Sequence, residues 1–260
     1  MPNDINVVLK IKKGLKLMTH VVAGYPDLRT SGEIVELMAA NGADFIEIQI
    51  PFSDPLADGP TIMKANHRAL QNGVRPEDCL EMVGELKGKV TVPLILMTYA
   101  NIPFRMGIDR FAEKAASACA SGVIIPDLPF DEMEGIQLEN FFKRDLHVIP
   151  VISPGMKARR LQTIASRVSG FLYLTLRVGT TGAIERIDPN GPGFIARVRQ
   201  RTSLPLAAGF GLSSVDRVLA LKDIADIAVI GSHLINVFDS EGFDGVRTFI
   251  SQCREGLSPS

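Results

Sequence analysis

The stretch Glu47-Ile-Gln-Ile-Pro-Phe-Ser-Asp-Pro-Leu-Ala-Asp-Gly-Pro60 places two of its three carboxylates, Glu47 and Asp58, eleven residues apart where an apolar run gives way to a loop. Residues 44–50 are rich in β-branched and aromatic side chains and predict a strand. Pro60 can open the helix that follows, because its missing N–H costs nothing at the first helical position. A barrel enzyme holds acid/base residues at such a strand end, so the stretch predicts the catalytic end of an α/β barrel.

Glu47 is a charged residue inside an apolar strand, and such a charge is costly unless it is used or paired. One interpretation makes Glu47 and Asp58 a catalytic acid/base pair. The structural interpretation makes Glu47 a core carboxylate with a buried partner and Asp58 the N-cap of the next helix. Carboxylates are rarely buried without use, which favours the catalytic interpretation.

Strand-length apolar runs alternate with segments of helical periodicity along the whole chain. The predicted strands are 17–23, 44–50, 92–98, 122–126, 147–152, 170–176, 205–208 and 226–230. The predicted helices, besides the one opened by Pro60, are 31–41, 76–86, 108–118, 132–142, 157–167, 192–201, 214–221 and 243–253. Eight β/α units predict a (β/α)8 TIM barrel, a single domain over residues 1–260, because eight parallel strands close around a packed interior. A doubly wound open sheet is the alternative.

The composition excludes several classes of partner. A net charge of -1 offers no electrostatic footprint for nucleic acid or an anionic membrane. No apolar run is long enough to span a bilayer, and the N-terminus lacks the pattern of a signal peptide. The three cysteines form no C-x-x-C pair and the four histidines lack metal-ligand spacing, so we expect a cytoplasmic protein without a metal. These residues are Cys79, Cys119, Cys253, His20, His67, His147 and His233.

Glycines follow each of the last three predicted strands. They occur in Gly179-Thr-Thr-Gly182, Gly209-Phe-Gly211 and Gly231-Ser232. Glycine lets backbone N–H groups approach an anion, and a helix beginning at Ser232 would direct its positive end to the same point. Tight turns are the structural alternative for any one glycine, but their joint position predicts a phosphate site.

Six segments carry a resemblance to a known family. They are 47–60, Leu96-Met-Thr-Tyr-Ala-Asn101, Ile125-Pro-Asp-Leu-Pro129, Arg177-Val-Gly-Thr-Thr-Gly182, Gly209-Phe-Gly211 and Gly231-Ser232. In order and spacing they resemble the tryptophan synthase α subunit, over essentially the whole chain. The run Pro51-Phe-Ser-Asp-Pro-Leu-Ala-Asp-Gly-Pro60 is highly specific to that family.

The resemblance implies a lyase of tryptophan biosynthesis that splits indole-3-glycerol phosphate by a retro-aldol reaction into indole and glyceraldehyde 3-phosphate. It makes Glu47 the general acid/base and Asp58 the acceptor of the indole N–H. The further predicted substrate-binding residues are Tyr99, Asp127, Tyr173 and Thr181, together with His20 and Gln49, which stand at positions beside the pocket that the resemblance implies. The phosphate-binding residues are Gly182, Gly211, Gly231 and Ser232.

The resemblance also implies a partner. Family members work in an αββα complex whose β subunit holds pyridoxal phosphate, so no cofactor is expected in this chain. The loop 51–60 and the segment around Tyr99 and Asn101 match the face that meets the β subunit.

The chain departs from the family pattern at four places. Gln49 replaces a glycine, His20 an aromatic residue and Leu176 a serine, and Gly24-Tyr-Pro26 replaces Gly-Asp-Pro. Polar groups left unpaired against an indole ring cost about 1–3 kcal/mol each. Two hypotheses therefore stay open: the ordinary lyase, and a diverged paralog that acts on another phosphorylated substrate or only modulates a β-type partner.

Overall fold

The computed structural model describes residues 4–11, 13–128, 138–175, 191–209 and 211–257. The strands are β1 (Lys16–Val22), β2 (Phe45–Gln49), β3 (Leu94–Met97), β4 (Gly122–Ile124), β5 (His147–Ile149), β6 (Val151–Ile152), β7 (Leu172–Leu174), β8 (Leu206–Ala208) and β9 (Ile227–Ile230). The helices are α1 (Ile5–Ile11), α2 (Leu28–Ala40), α3 (Pro60–Gln71), α4 (Pro76–Glu85), α5 (Asn101–Met106), α6 (Ile108–Ser117), α7 (Glu139–Phe142), α8 (Ala158–Ala165), α9 (Gly191–Arg199), α10 (Val215–Leu219) and α11 (Ser232–Leu257).

All strand pairs are parallel, and the sheet order is β5-β4-β3-β2-β1-β9-β8-β7-β6. The two ends of this sheet, β5 and β6, are consecutive in the chain and separated only by Pro150. Proline has no N–H to donate to a ladder, which explains why the predicted strand 147–152 is split. The segment around Pro150 thus brings the two sheet ends together, and the prediction of a single-domain TIM barrel is confirmed.

Two apolar layers hold the barrel together. The inner layer fills the barrel with alternate strand residues and with Ile5 of α1. It comprises Ile5, Met18, Phe45, Ile95, Met97, Tyr99, Ile124, Ile149, Phe171, Ala207, Ile227 and Val229. The outer and larger layer packs the other strand face against the helices. Because strand side chains alternate, His20 and Glu47 lie on the inward face two residues beyond Met18 and Phe45.

The helices agree with most of the predictions but not with all of them. Helix α3 opens at Pro60, as the sequence predicts. Two short helices, α1 and α5, were missed by the periodicity. Of the predicted helix 132–142 the structure has α7, while residues 132–137 lie outside the described ranges. Helix α11 starts at Ser232, where the phosphate-site argument places a helix, and is interrupted at Gly242, where φ is 64°. The predicted helix 243–253 is the part that follows this interruption.

The last turns of α11 are linked to the start of β2 by an ion pair. Asp44 is fully buried and accepts a hydrogen bond from the backbone N–H of Leu17 at 2.8 Å. Arg254 of α11 forms an ion pair with Asp44 and also donates to the carbonyl of Gly42. This ion pair, buried on the Asp44 side, connects α11 to the strand that carries Glu47.

Candidate active site

A cavity of about 820 Å³ opens at the carboxyl ends of the strands. Its wall contains residues from β1, β2, β3, β4, β6, β7 and β9, together with the loops that follow them. Glu47 and Asp58 both line it, so the structure brings the predicted acid/base pair into one cavity. The carboxyl end of the strands is where TIM-barrel enzymes carry their active sites.

Glu47 has a direct neighbour in His20. The two residues are register partners on β1 and β2, and Nδ1 of His20 lies 3.5 Å from Oε1 of Glu47. Both side chains are only 5% exposed. Burial lowers the pKa of His20, but the Glu47 carboxylate, and more weakly that of Asp58, outweigh burial, so that the pKa ends above its ordinary value.

Asp58 is held by two side chains behind the cavity wall. Nε2 of Gln49 donates to Oδ2 of Asp58 at 2.6 Å, and Nδ2 of Asn66 lies 3.5 Å from the same oxygen. Burial raises the pKa of Asp58, while the hydrogen bond from Gln49 and the charge of His20 oppose the rise. Asp58 is not the N-cap of α3, because Gly59 holds that position.

The loop between β2 and α3 is fixed at several points. The ring of Phe52 stacks on Tyr99 with centroids 5.2 Å apart, and the backbone N–H of Phe52 donates to Oδ1 of Asn66 at 2.9 Å. The hydroxyl oxygen of Tyr99 accepts from the N–H of Ala57 at 3.1 Å. These contacts set the position of Asp58 before any substrate is bound.

Tyr173 faces the two carboxylates from the opposite side of the barrel. It lies on β7 and lines the cavity. Burial, and then the charges of Glu47 and Asp58, raise its pKa well above the ordinary value, so its hydroxyl keeps its proton at neutral pH.

The predicted phosphate end forms another part of the same wall. Gly211, Gly231 and Ser232 line the cavity, and α11 begins at Ser232. The φ of Gly211 is 73°, a conformation that favours glycine, and its carbonyl accepts from Nη1 of Arg217 at 2.9 Å. A helix N-terminus beside exposed backbone and a guanidinium suits an anion.

A family model described as tryptophan synthase alpha chain matches residues 8–254. This chain belongs to the tryptophan synthase alpha chain family. A relative from Desulforapulum autotrophicum named tryptophan synthase alpha chain is 43% identical over 239 residues, covering 92% of this chain and 94% of the relative. A relative of the same name from Desulfotalea psychrophila is 40% identical over 245 residues, or 94% of this chain and 96% of that one.

Solved structures of the family have the same fold. A structure of Mycobacterium tuberculosis tryptophan synthase aligns with a TM-score of 0.91 and 29% identity, covering 98% of both chains. The tryptophan synthase subunit alpha of Legionella pneumophila aligns with a TM-score of 0.88 and 29% identity, again over 98% of both chains. The predictions of a TIM barrel and of a lyase in tryptophan biosynthesis are therefore confirmed at the level of the family.

Three of the four departures from the tryptophan synthase alpha pattern lie within the described residues. Gln49 turns to Asp58 and is not among the described residues that line the cavity, whereas His20 is. Tyr25, which replaces the aspartate of the Gly-Asp-Pro turn, donates its hydroxyl to Asp239 at 2.7 Å. Leu176 lies outside the described residues, as do Thr181 and Gly182.

Tyr99 and Asp127 occupy supporting positions. Tyr99 is 1% exposed and holds the loop through Ala57, and Asp127 accepts from the N–H of Ala100 at 2.9 Å. Neither is among the described residues that line the cavity. Their direct contact with a substrate, like that of Gln49, stays a prediction.

Several polar residues of the tryptophan synthase alpha site could not be recognised from the sequence motifs. Asn66 comes eight residues after Asp58 and is buried with Ile62 on the apolar side of α3. A polar residue at an apolar position of the helical pattern is the signal that could have identified it. Arg217 carries no motif signal. Thr61 of α3 and Asn236 of α11 line the cavity and hydrogen-bond to each other at 3.3 Å.

The described residues contain neither a metal-binding cluster nor a helix of membrane-spanning character. No cluster of three or more His, Cys, Asp or Glu in these ranges is arranged to hold a metal ion. Among the helices of the same residues, none combines the length and the apolar character needed to cross a membrane.

Proposed function

We propose that Glu47 and Asp58 cleave indole-3-glycerol phosphate in the cavity at the carboxyl ends of the strands. The observation that carries this proposal is the position of both carboxylates in one cavity whose wall also contains Gly211, Gly231 and Ser232. A substrate with a reactive ring at one end and a phosphate at the other fits such a divided site. The phosphate supplies binding energy that orients the bond to be broken.

The chemistry requires two kinds of group. Cleavage at indole C3 needs a proton delivered to C3, a proton removed from the glycerol hydroxyl, and stabilisation of positive charge at the ring nitrogen. Glu47 serves as the acid/base group, and ionised Asp58 accepts the ring N–H. Tyr173, protonated at neutral pH, adds a hydrogen-bond donor beside the carboxylates.

The test is release of glyceraldehyde 3-phosphate from indole-3-glycerol phosphate by the purified chain. Because a general acid/base group contributes 10²–10⁴-fold, Glu47→Gln should reduce kcat by about that factor while binding of glycerol 3-phosphate is kept. Glu33→Gln on the surface of α2 is the matched control and should leave kcat unchanged. Substantial residual activity of Glu47→Gln would overturn the assignment.

A changed substrate, or a role as a modulator only, is the competing hypothesis, and His20 in the cavity wall is the observation that favours it. The double replacement His20→Phe with Gln49→Gly restores the family pattern. A large gain in cleavage would support divergence, whereas no gain would support the ordinary lyase.

We further propose a tryptophan synthase β subunit as the partner, in an αββα complex in the cytoplasm, with pyridoxal phosphate held by the β subunit and no cofactor in this chain. The support is an apolar side chain on the loop that carries Asp58: Leu56 is 82% exposed. Phe104, on α5 after the neighbouring strand, is 50% exposed. Such side chains on a functional face are typical of a docking surface.

Leu56→Asp tests the partnership. We expect it to weaken binding of a β subunit at least tenfold, measured by titration calorimetry, while cleavage by the isolated chain is retained. Ile11→Asp is the matched control, because Ile11 is 73% exposed at the other end of the barrel. Equal β affinity of both variants would contradict the proposed docking face.

A further inference from the structure

His20 and Glu47 form a buried pair in which each side chain keeps one polar atom unused. Nδ1 of His20 faces Oε1 of Glu47 at 3.5 Å. The remaining atoms, Nε2 of His20 and Oε2 of Glu47, are buried and lack a hydrogen-bond partner within the described residues. A buried polar atom without a partner costs about 1–3 kcal/mol, and such exceptions require an explanation, of which a catalytic role is one.

The surroundings favour a charged pair. Glu47 on β2 and Asp58 before α3 are the acidic groups that act on His20, and together they raise its pKa against the effect of burial. Tyr173 on β7 stays protonated, and burial lowers the pKa of His233 on α11, so neither adds a charge at neutral pH. On the β9 side the ring meets Gly231, which brings no charge. The charges around His20 therefore favour its protonated form.

We propose that His20 is a second catalytic acid, which protonates indole C3 while ionised Glu47 takes the proton of the glycerol hydroxyl. This inference rests on the proposed function and adds a residue to it. A separate acid and base remove the need for one carboxyl group to give a proton to one atom of the substrate and take a proton from another.

The proton balance closes without a co-reactant. His20 gives its proton to C3, and the ring becomes a cation. Glu47 accepts the hydroxyl proton, the O–H electron pair forms the aldehyde C=O, and the electron pair of the broken C–C bond returns to the ring to give indole. Glu47 then passes its proton across the pair to His20, which restores the starting state.

The experiment compares pH profiles of kcat for the wild-type chain and His20→Phe. In the wild type we expect an alkaline limb where His20 loses its proton. In His20→Phe we expect kcat to fall at least tenfold, KM to change less than twofold and the alkaline limb to disappear. Added imidazole should partly restore kcat in His20→Ala, which a purely structural role would not produce. His67→Asn, on the surface of α3, is the matched control.

Two outcomes separate the two proposals. An active wild type, an inactive Glu47→Gln and an unchanged pH profile in His20→Phe would overturn the role of His20 alone. An inactive wild type would overturn both. If His20→Phe fails to fold, judged by thermal unfolding, His20→Asn takes its place with the same expected profile. Nitrogen NMR should show His20 titrating at lower pH in Glu47→Gln than in the wild type, and an unchanged titration would contradict the charged pair.

Discussion

Replacing Gln49 by leucine removes the shortest hydrogen bond to Asp58 and leaves the volume of the side chain nearly unchanged. Gln49 is fully buried, its Nε2 donates to Asp58 at 2.6 Å, and its Oε1 is without a partner in the described part of the chain. Gln49→Leu therefore has two opposing effects on the free energy of unfolding. Losing a hydrogen bond to a charged group costs about 1.5–3 kcal/mol, while removing an unpaired buried oxygen recovers about 1–3 kcal/mol.

Because these effects nearly cancel, the single variant is uninformative and a double-mutant cycle with Asp58→Asn is needed. In the Asp58→Asn background the same hydrogen bond is neutral and contributes about 0.5–1.5 kcal/mol. Gln49→Leu removes the same unpaired oxygen in both backgrounds, so this contribution cancels in the cycle. The coupling between Gln49 and Asp58 is then the difference, about 1–1.5 kcal/mol at neutral pH.

The sign of the pH dependence follows from the raised pKa of Asp58. The coupling exists where Asp58 is ionised in the folded chain, and it is lost as the pH falls through that raised pKa. Urea unfolding of the four proteins at pH 7.5 and in acid gives the two values, and carbon NMR of Asp58 should show its pKa rising further in Gln49→Leu. A coupling below about 0.5 kcal/mol at pH 7.5, or one that persists in acid, would refute the reasoning.

Two further predictions follow from the glycines and from the buried ion pair. A Cβ on Gly209 would lie 2.4 Å from Cβ of Val229, so Gly209→Ala should lower the free energy of unfolding by about 1–3 kcal/mol. At Gly231 the nearest contact of an added Cβ is at 3.7 Å, so Gly231→Ala should change the free energy of unfolding by less than about 1 kcal/mol. Urea unfolding measures both variants, and equal losses would contradict the packing argument. In Arg254→Ala the buried Asp44 loses this partner but keeps the hydrogen bond from Leu17, and the Arg254 side chain is itself 32% exposed. We therefore expect a loss of about 1–3 kcal/mol by the same assay, and an unchanged free energy of unfolding would contradict a stabilising role for the pair.

The sequence predicted the barrel because the apolar periodicity recurs eight times, and this pattern does not depend on tertiary contacts. It did not predict the break in the strand 147–152, although Pro150 stands in the middle of that segment. The periodicity counts hydrophobic residues and not hydrogen-bond donors, so it does not detect a proline inside an apolar run. The short helix α5 was missed for a similar reason, because Pro103 lies inside it.

At the site, Glu47 and Asp58 were identified from a local motif, and the structure places both in the cavity. The direction of Gln49 could not be deduced in the same way. Its acceptor Asp58 comes nine residues later, and their contact depends on the path of the loop, which Asn66 and Tyr99 determine from other elements. The pairing of His20 with Glu47 likewise depends on the register between β1 and β2.

The break at Pro150 has a consequence for chain connectivity. The strand pairs run without interruption from β5 through β1 and β9 to β6, so each neighbour pair on either side of Pro150 is independent of the covalent bond at that residue. A circular permutant opened at Pro150, with the original ends joined by a linker, would keep every one of these ladders. The permuted chain would begin with β6 and end with β5, so its two ends would meet at one place in the barrel wall.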